Sequence, residues 1–108
     1  MINRTTIETA MYGAMRRATV TLPPDVEKAL PAAYAEEFDP LAKMYLETFF
    51  KNVELAGDGK GLVCGDTGFP VFFLRINGFA QVEGGMAGLR GIAEKVTARL
   101  TDEAFLWL

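Results

Sequence analysis

The sequence predicts an α/β domain of the α+β type: three N-terminal helices, a small mostly antiparallel sheet and one C-terminal helix. Three observations lead there. Apolar residues recur at helical spacing before the glycine cluster at 57–61 and again after Met86. Phe69 to Ile76 alternates in the manner of a strand, with both faces largely apolar. Asn77-Gly78 follows it, the commonest two-residue hairpin turn, so Phe79 to Glu83 is expected to return antiparallel.

The first helix is expected near Thr5. Thr5 and Glu8 have capping-box spacing, in which hydroxyl and carboxylate satisfy orphan backbone N–H groups reciprocally. Ile7, Ala10, Met11, Ala14, Met15 and Ala18 form its apolar stripe. Leu22-Pro23-Pro24-Asp25 ends that helix and starts a second, because proline is tolerated in a first helical turn. Val26, Ala29, Leu30, Ala33 and Tyr34 share a face there, and Pro31 predicts a kink or a short helix. Asp39-Pro40 opens the third helix with an N-cap carboxylate and a proline at the first position. Its face is Ala42, Tyr45, Leu46, Phe49, Val53 and Ala56, and it stops at Gly57-Asp58-Gly59-Lys60-Gly61.

Leu62-Val63-Cys64 then predicts a short strand or extended approach, and Gly65-Asp66-Thr67-Gly68 a tight turn. Gly84-Gly85 separates the second strand of the hairpin from the last helix, about Met86 to Leu100. Leu89, Ile92, Ala93, Val96 and Leu100 make that helix's apolar face. The tail Phe105-Leu106-Trp107-Leu108 is expected to be buried, under the domain or in a subunit contact. A homo-oligomer is the expected consequence.

With 108 residues there is room for one domain. Half the residues are hydrophobic and 23% charged, a globular balance. The net charge of −3 gives no electrostatic footprint for nucleic acid or for an acidic membrane surface. No apolar run approaches the roughly 20 residues that span a bilayer. The first residues lack the apolar core of a signal peptide, and a lone thiol suits a reducing compartment, so a cytoplasmic location is expected. The chain has no histidine, which excludes His-based triads, His-ligated zinc and His proton shuttles within it. One cysteine excludes an internal disulfide and any self-sufficient cysteine-cluster metal site. The glycine-rich stop after the third helix follows a helix and lacks a Gly-Lys-Ser/Thr ending, which argues against a phosphate loop.

Chemistry concentrates at Cys64-Gly65-Asp66-Thr67-Gly68. A soft ligand, a carboxylate and a hydroxyl lie within four residues of one turn. Glycines let backbone N–H groups approach an anion or sulfide, and thiolate is the ligand iron–sulfur clusters take. From Leu22-Pro23-Pro24-Asp25-Val26, through Lys51-Asn52-Val53-Glu54-Leu55-Ala56, to Leu62 through Phe73, the chain resembles a known family. It is similar to the N-terminal part of the alpha subunit of class I iron–sulfur hydro-lyases, the fumarate hydratases and L-tartrate dehydratases. The family reads Pro-x-Cys-Gln-Asp-Thr-Gly before a hydrophobic strand.

The resemblance implies that Cys64 is one of three ligands of a [4Fe–4S] cluster, whose open iron corner binds substrate as a Lewis acid. It places Asp66 beside substrate and cluster as the catalytic and substrate-binding carboxylate, with Thr67 as a nearby positioning group. The implied reaction is reversible hydration and dehydration of a small dicarboxylic acid, fumarate before tartrate. The implied partners are the remaining alpha and beta parts of the enzyme. Three departures stand out. Gly65 replaces the family's glutamine, Leu62 its proline, and no arginine follows Arg99, where a family arginine grips a substrate carboxylate. The other two cluster cysteines of the family have no counterpart in this chain. It is therefore expected to be a truncated or split part, inactive alone and without a cluster. The alternative is a non-catalytic interaction module built on the same scaffold and using the apolar tail.

Overall fold

The structure is a computed structural model that describes residues 1–65 and 68–106. It contains α1 (Arg4–Val20), α2 (Pro24–Glu36), α3 (Pro40–Gly57) and α4 (Leu89–Asp102), the last preceded by a 3-10 turn at Met86–Gly88. The chain divides into two compact units. One comprises Met1–Arg16 and Asp66–Leu108; the other is Arg17–Gly65.

The expected sheet is absent: no strand forms among the described residues, and the fold is helical. The turn at Asn77 shows why. A hairpin of the type-I′ kind needs positive φ at both central residues. Here Asn77 instead occupies the first position of the turn. Its carbonyl accepts from Ala80 N–H at 2.9 Å, and its side-chain oxygen accepts from Phe79 N–H at 2.9 Å. Positive φ occurs at Gly59, Gly84, Gly85 and Ala104 and not at Gly78 or Phe79. A turn without that geometry splays the flanking segments instead of pairing them. The return segment goes elsewhere. Ile2 N–H donates to the Gln81 carbonyl at 2.7 Å and Glu83 N–H to the Ile2 carbonyl at 2.9 Å. The result is a single parallel bridge between Ile2 and Val82. Leu62-Val63-Cys64, expected as a short strand, is irregular as well.

In the first unit the core is Met11 from α1 and Ile92, Val96 and Leu100 from α4. Ile7, Met15, Leu89, Ala93, Phe72, Phe105 and Leu106 pack around them. The apolar stripes of both helices thus meet, although Ala10, Ala14 and Ala18 of the predicted α1 stripe stay exposed. The tail expectation holds for its first half, since Phe105 and Leu106 are half-buried against this core; Trp107 and Leu108 lie outside the described residues. The α1 cap is Asn3 rather than Thr5. Asn3 Oδ1 accepts from the Thr6 N–H and Thr6 hydroxyl, both at 2.8 Å. Glu8 is drawn away to Lys95 of α4, at 3.1 Å.

In the second unit α3 begins as expected, with the Asp39 carboxylate accepting from Leu41 N–H at 3.0 Å. The helix packs on α2 through Tyr34 and Phe50, edge to face at 5.9 Å. The Tyr34 hydroxyl donates to Glu47, and the Lys43 ammonium lies 5.0 Å from the Tyr34 ring centre. The helix α2 runs through Pro31 for its full 13 residues, so the expected shortening does not occur.

Candidate functional site

The candidate site is the loop that follows α3. Two hydrogen bonds fix its approach. Asn52, on α3, donates its side-chain amide to the Leu62 carbonyl at 2.9 Å. Val63 N–H donates to the Thr19 carbonyl at 2.9 Å. These bonds anchor the two residues before Cys64 within the second unit. Cys64 follows them in a non-helical, exposed position with its thiol free of any disulfide. Gly65 is exposed beside it. Asp66 and Thr67, the two other predicted site residues, lie outside the described residues.

Sequence reasoning gave Asn52 no role. An asparagine near a helix end has no signature that says which carbonyl ten residues on it will meet. The bond matters because a buried or half-buried backbone carbonyl needs a donor, and irregular chain has none from a ladder. The function of Asn52 is therefore to position the segment that carries the thiol.

The donor set sets a limit on metal chemistry. The chain holds one cysteine and no histidine. No group of three or more His, Cys, Asp or Glu that could hold a metal ion forms among the described residues. A [4Fe–4S] cluster with three thiolate ligands therefore does not fit this chain by itself.

A second polar cluster joins α1 to α4 in the first unit. The Tyr12 hydroxyl donates to Glu103, and Arg99 bonds Glu103 at 3.0 Å while its guanidinium lies 3.9 Å from the Tyr12 ring centre. The hydrogen bond from Tyr12, followed by that from Arg99, holds the Glu103 carboxyl below the usual carboxylate range. The same bond to Glu103 raises the Tyr12 hydroxyl above the usual tyrosine value. This arrangement ties two helices together and closes over Phe105, whose ring lies 4.8 Å from the Arg16 guanidinium. An open groove of about 750 Å³ runs along another side of α4, lined by Ala93, Thr97, Ala98 and Thr101 with Phe69 and Pro70. No helix among the described residues is long and apolar enough to cross a membrane.

Comparison with known proteins identifies relatives. The profile of the Fumarate hydratase (Fumerase) family matches residues 8–106. A protein of Methanocaldococcus jannaschii, provisionally named L(+)-tartrate dehydratase subunit alpha, is 38% identical over 61 residues. That match covers 56% of this chain and 21% of the relative. A protein of Geobacillus stearothermophilus, provisionally named fumarate hydratase class I, is 32% identical over 99 residues, covering 90% of this chain and 18% of the relative. The chain thus spans about a fifth of the length of these relatives. No solved structure matches it.

Proposed function

The chain belongs to the fumarate hydratase family, and on that premise we propose that it forms one part of an iron–sulfur hydro-lyase and is incomplete alone. The reaction is the reversible addition of water to a small dicarboxylic acid, with fumarate the first substrate to try and tartrate the second. The observation that carries the reading is the combination of family match and donor count. A family profile covers residues 8–106, yet the chain has a single thiolate to offer. The remaining ligands must come from polypeptide that corresponds to the other four-fifths of the relatives.

Within the assembled enzyme, Cys64 contributes one cluster thiolate, and Asp66 and Thr67 meet the substrate beside it. The exposure of Cys64 at the end of an anchored approach supports this reading, because a ligand for a shared group must face outward from its own unit. Asn52 and the Thr19 carbonyl act on the site indirectly, by holding residues 62 and 63. Gly65 removes the side chain that the family places next to the thiol, which leaves room for another group to contact the substrate.

The test is turnover. The purified chain, treated anaerobically with iron and sulfide, should neither hydrate fumarate nor dehydrate malate or tartrate. Turnover by the chain alone that is lost in Cys64→Ala would overturn the reading.

A further inference from the structure

The segment from Gly68 to Phe79 is the anomaly of the first unit. Phe69, Phe73 and Phe79 are 95–96% exposed, and Val71 and Leu74 are exposed beside them. Arg75 is the one charged side chain between Gly68 and Phe79. Among the described residues, 68–76 make no hydrogen bond, and within this segment only Pro70, Phe72 and Ile76 are half-buried, Phe72 against the core. Scattered apolar residues on a surface are ordinary, but a contiguous aromatic strip marks an interaction site. Phe69 also borders the open groove along α4, so the strip continues into a concavity lined by small residues of α4 together with the charged Arg90, Glu94 and Asp102.

We infer that residues 69–79 and the adjoining α4 groove are the surface on which this chain docks the rest of the hydro-lyase, with Phe69, Phe73 and Phe79 as anchors. The inference rests on the proposed function and gives it a surface. The occupant is the polypeptide corresponding to the four-fifths of the relatives that this chain does not span. The length of that missing portion and the family match across the strip itself favour it. A buried aromatic anchor in a desolvated contact is the kind of residue that dominates binding.

The test uses the full chain and a named probe: the Geobacillus stearothermophilus relative lacking its segment that aligns with this chain. The two are co-expressed, and the complex is followed by titration and by amide hydrogen exchange. A complex is expected, with new exchange protection over 69–79. Phe69→Ser, Phe73→Ser and Phe79→Ser should each weaken it at least about tenfold. The isolated chains carrying these substitutions should keep the parent's thermal midpoint, since the side chains are exposed. If the complex forms but the substitutions leave its affinity unchanged, the surface is wrong while the proposed function stands. If no complex forms, both fall. If the isolated chain self-associates and protects 69–79 at the same concentrations, the occupant is a second copy and the inference is overturned.

Discussion

Two helices of this chain end in the same hydrogen-bonded motif, with a different residue at the hinge. At the end of α3, Lys60 N–H donates to the Leu55 carbonyl at 2.8 Å and Gly59 N–H to the Ala56 carbonyl at 3.0 Å. At the end of α4, Phe105 N–H donates to the Leu100 carbonyl at 2.9 Å and Ala104 N–H to the Thr101 carbonyl at 3.1 Å. Both are Schellman closures, which put the residue after the cap in the left-handed region. Gly59 sits there at φ 76° and Ala104 at φ 62°. Alanine in that region costs about 1–2 kcal/mol, because its Cβ crowds the following carbonyl. Glycine removes that strain but adds about 0.4–1 kcal/mol of unfolded-state entropy to be lost on folding. The net gain for Ala104→Gly is about 0.5–1 kcal/mol, and Gly59→Ala should lose a similar amount. No atom lies within 4 Å of a Cβ built on Gly59, so its penalty is conformational alone. Thermal unfolding followed by circular dichroism checks both, with shifts of about 2–8 °C in opposite directions. A neutral or destabilising Ala104→Gly would refute the reasoning, since the contacts of Phe105 and Leu106 are unaltered by it.

Other perturbations test other parts of the structure. Asn52→Ala should cost about 1 kcal/mol by urea titration, and Asn52→Asp more, because a carboxylate would then face the Leu62 carbonyl oxygen. Leu100 is fully buried, so Leu100→Ala should cost about 2–5 kcal/mol and deprotect α4 amides first in hydrogen exchange. The Glu103 carboxyl is depressed in the folded chain, so its contribution is present above its unfolded value and lost as pH falls through the folded one. Tyr12→Phe should therefore weaken the fall of the thermal midpoint on the acid side. The raised Tyr12 hydroxyl works in the opposite sense: its contribution holds below the unfolded tyrosine value and is lost as pH rises through the folded one. Glu103→Gln should reduce both dependences.

What was legible in the sequence depends on whether the signal was local. The pair Asp39-Pro40 caps and starts α3 without help from elsewhere, and the glycines after residue 56 stop it. The start of α1 was read as a Thr5 cap, whereas Asn3 caps it. The same helix end is held by Glu83, which takes the Arg4 N–H at 2.9 Å, and by the Ile2–Val82 bridge, contacts with residues about 80 positions away that no local signal announces. The end of α4 carried no glycine to announce it, since Ala104 takes the left-handed position itself. At the candidate site, the non-helical setting of Cys64 was readable from the flanking glycines, whereas its exposure and the Asn52 anchor were not.

The sheet is the instructive failure. Alternation along Phe69–Ile76 predicted a strand covered on both faces; no strand forms there, although Phe72 does pack on the core. Alternation states that a segment needs cover; it does not say where the cover comes from. Reading the need as an internal hairpin assumed that Asn77-Gly78 would take central turn positions and that the partner lay in the next few residues. The turn formed one residue later, with Gly78 and Phe79 at its centre, and Val82 went to Ile2. Phe69, Phe73 and Phe79 of this segment remain exposed in a chain that spans about a fifth of the length of its relatives. The same separation applies to Cys64: the chain has one cysteine and no histidine, and the local pattern does not say what the thiol meets. On the proposed function, the exposed aromatics and the single thiolate share one explanation, since each would meet polypeptide corresponding to the rest of the relatives.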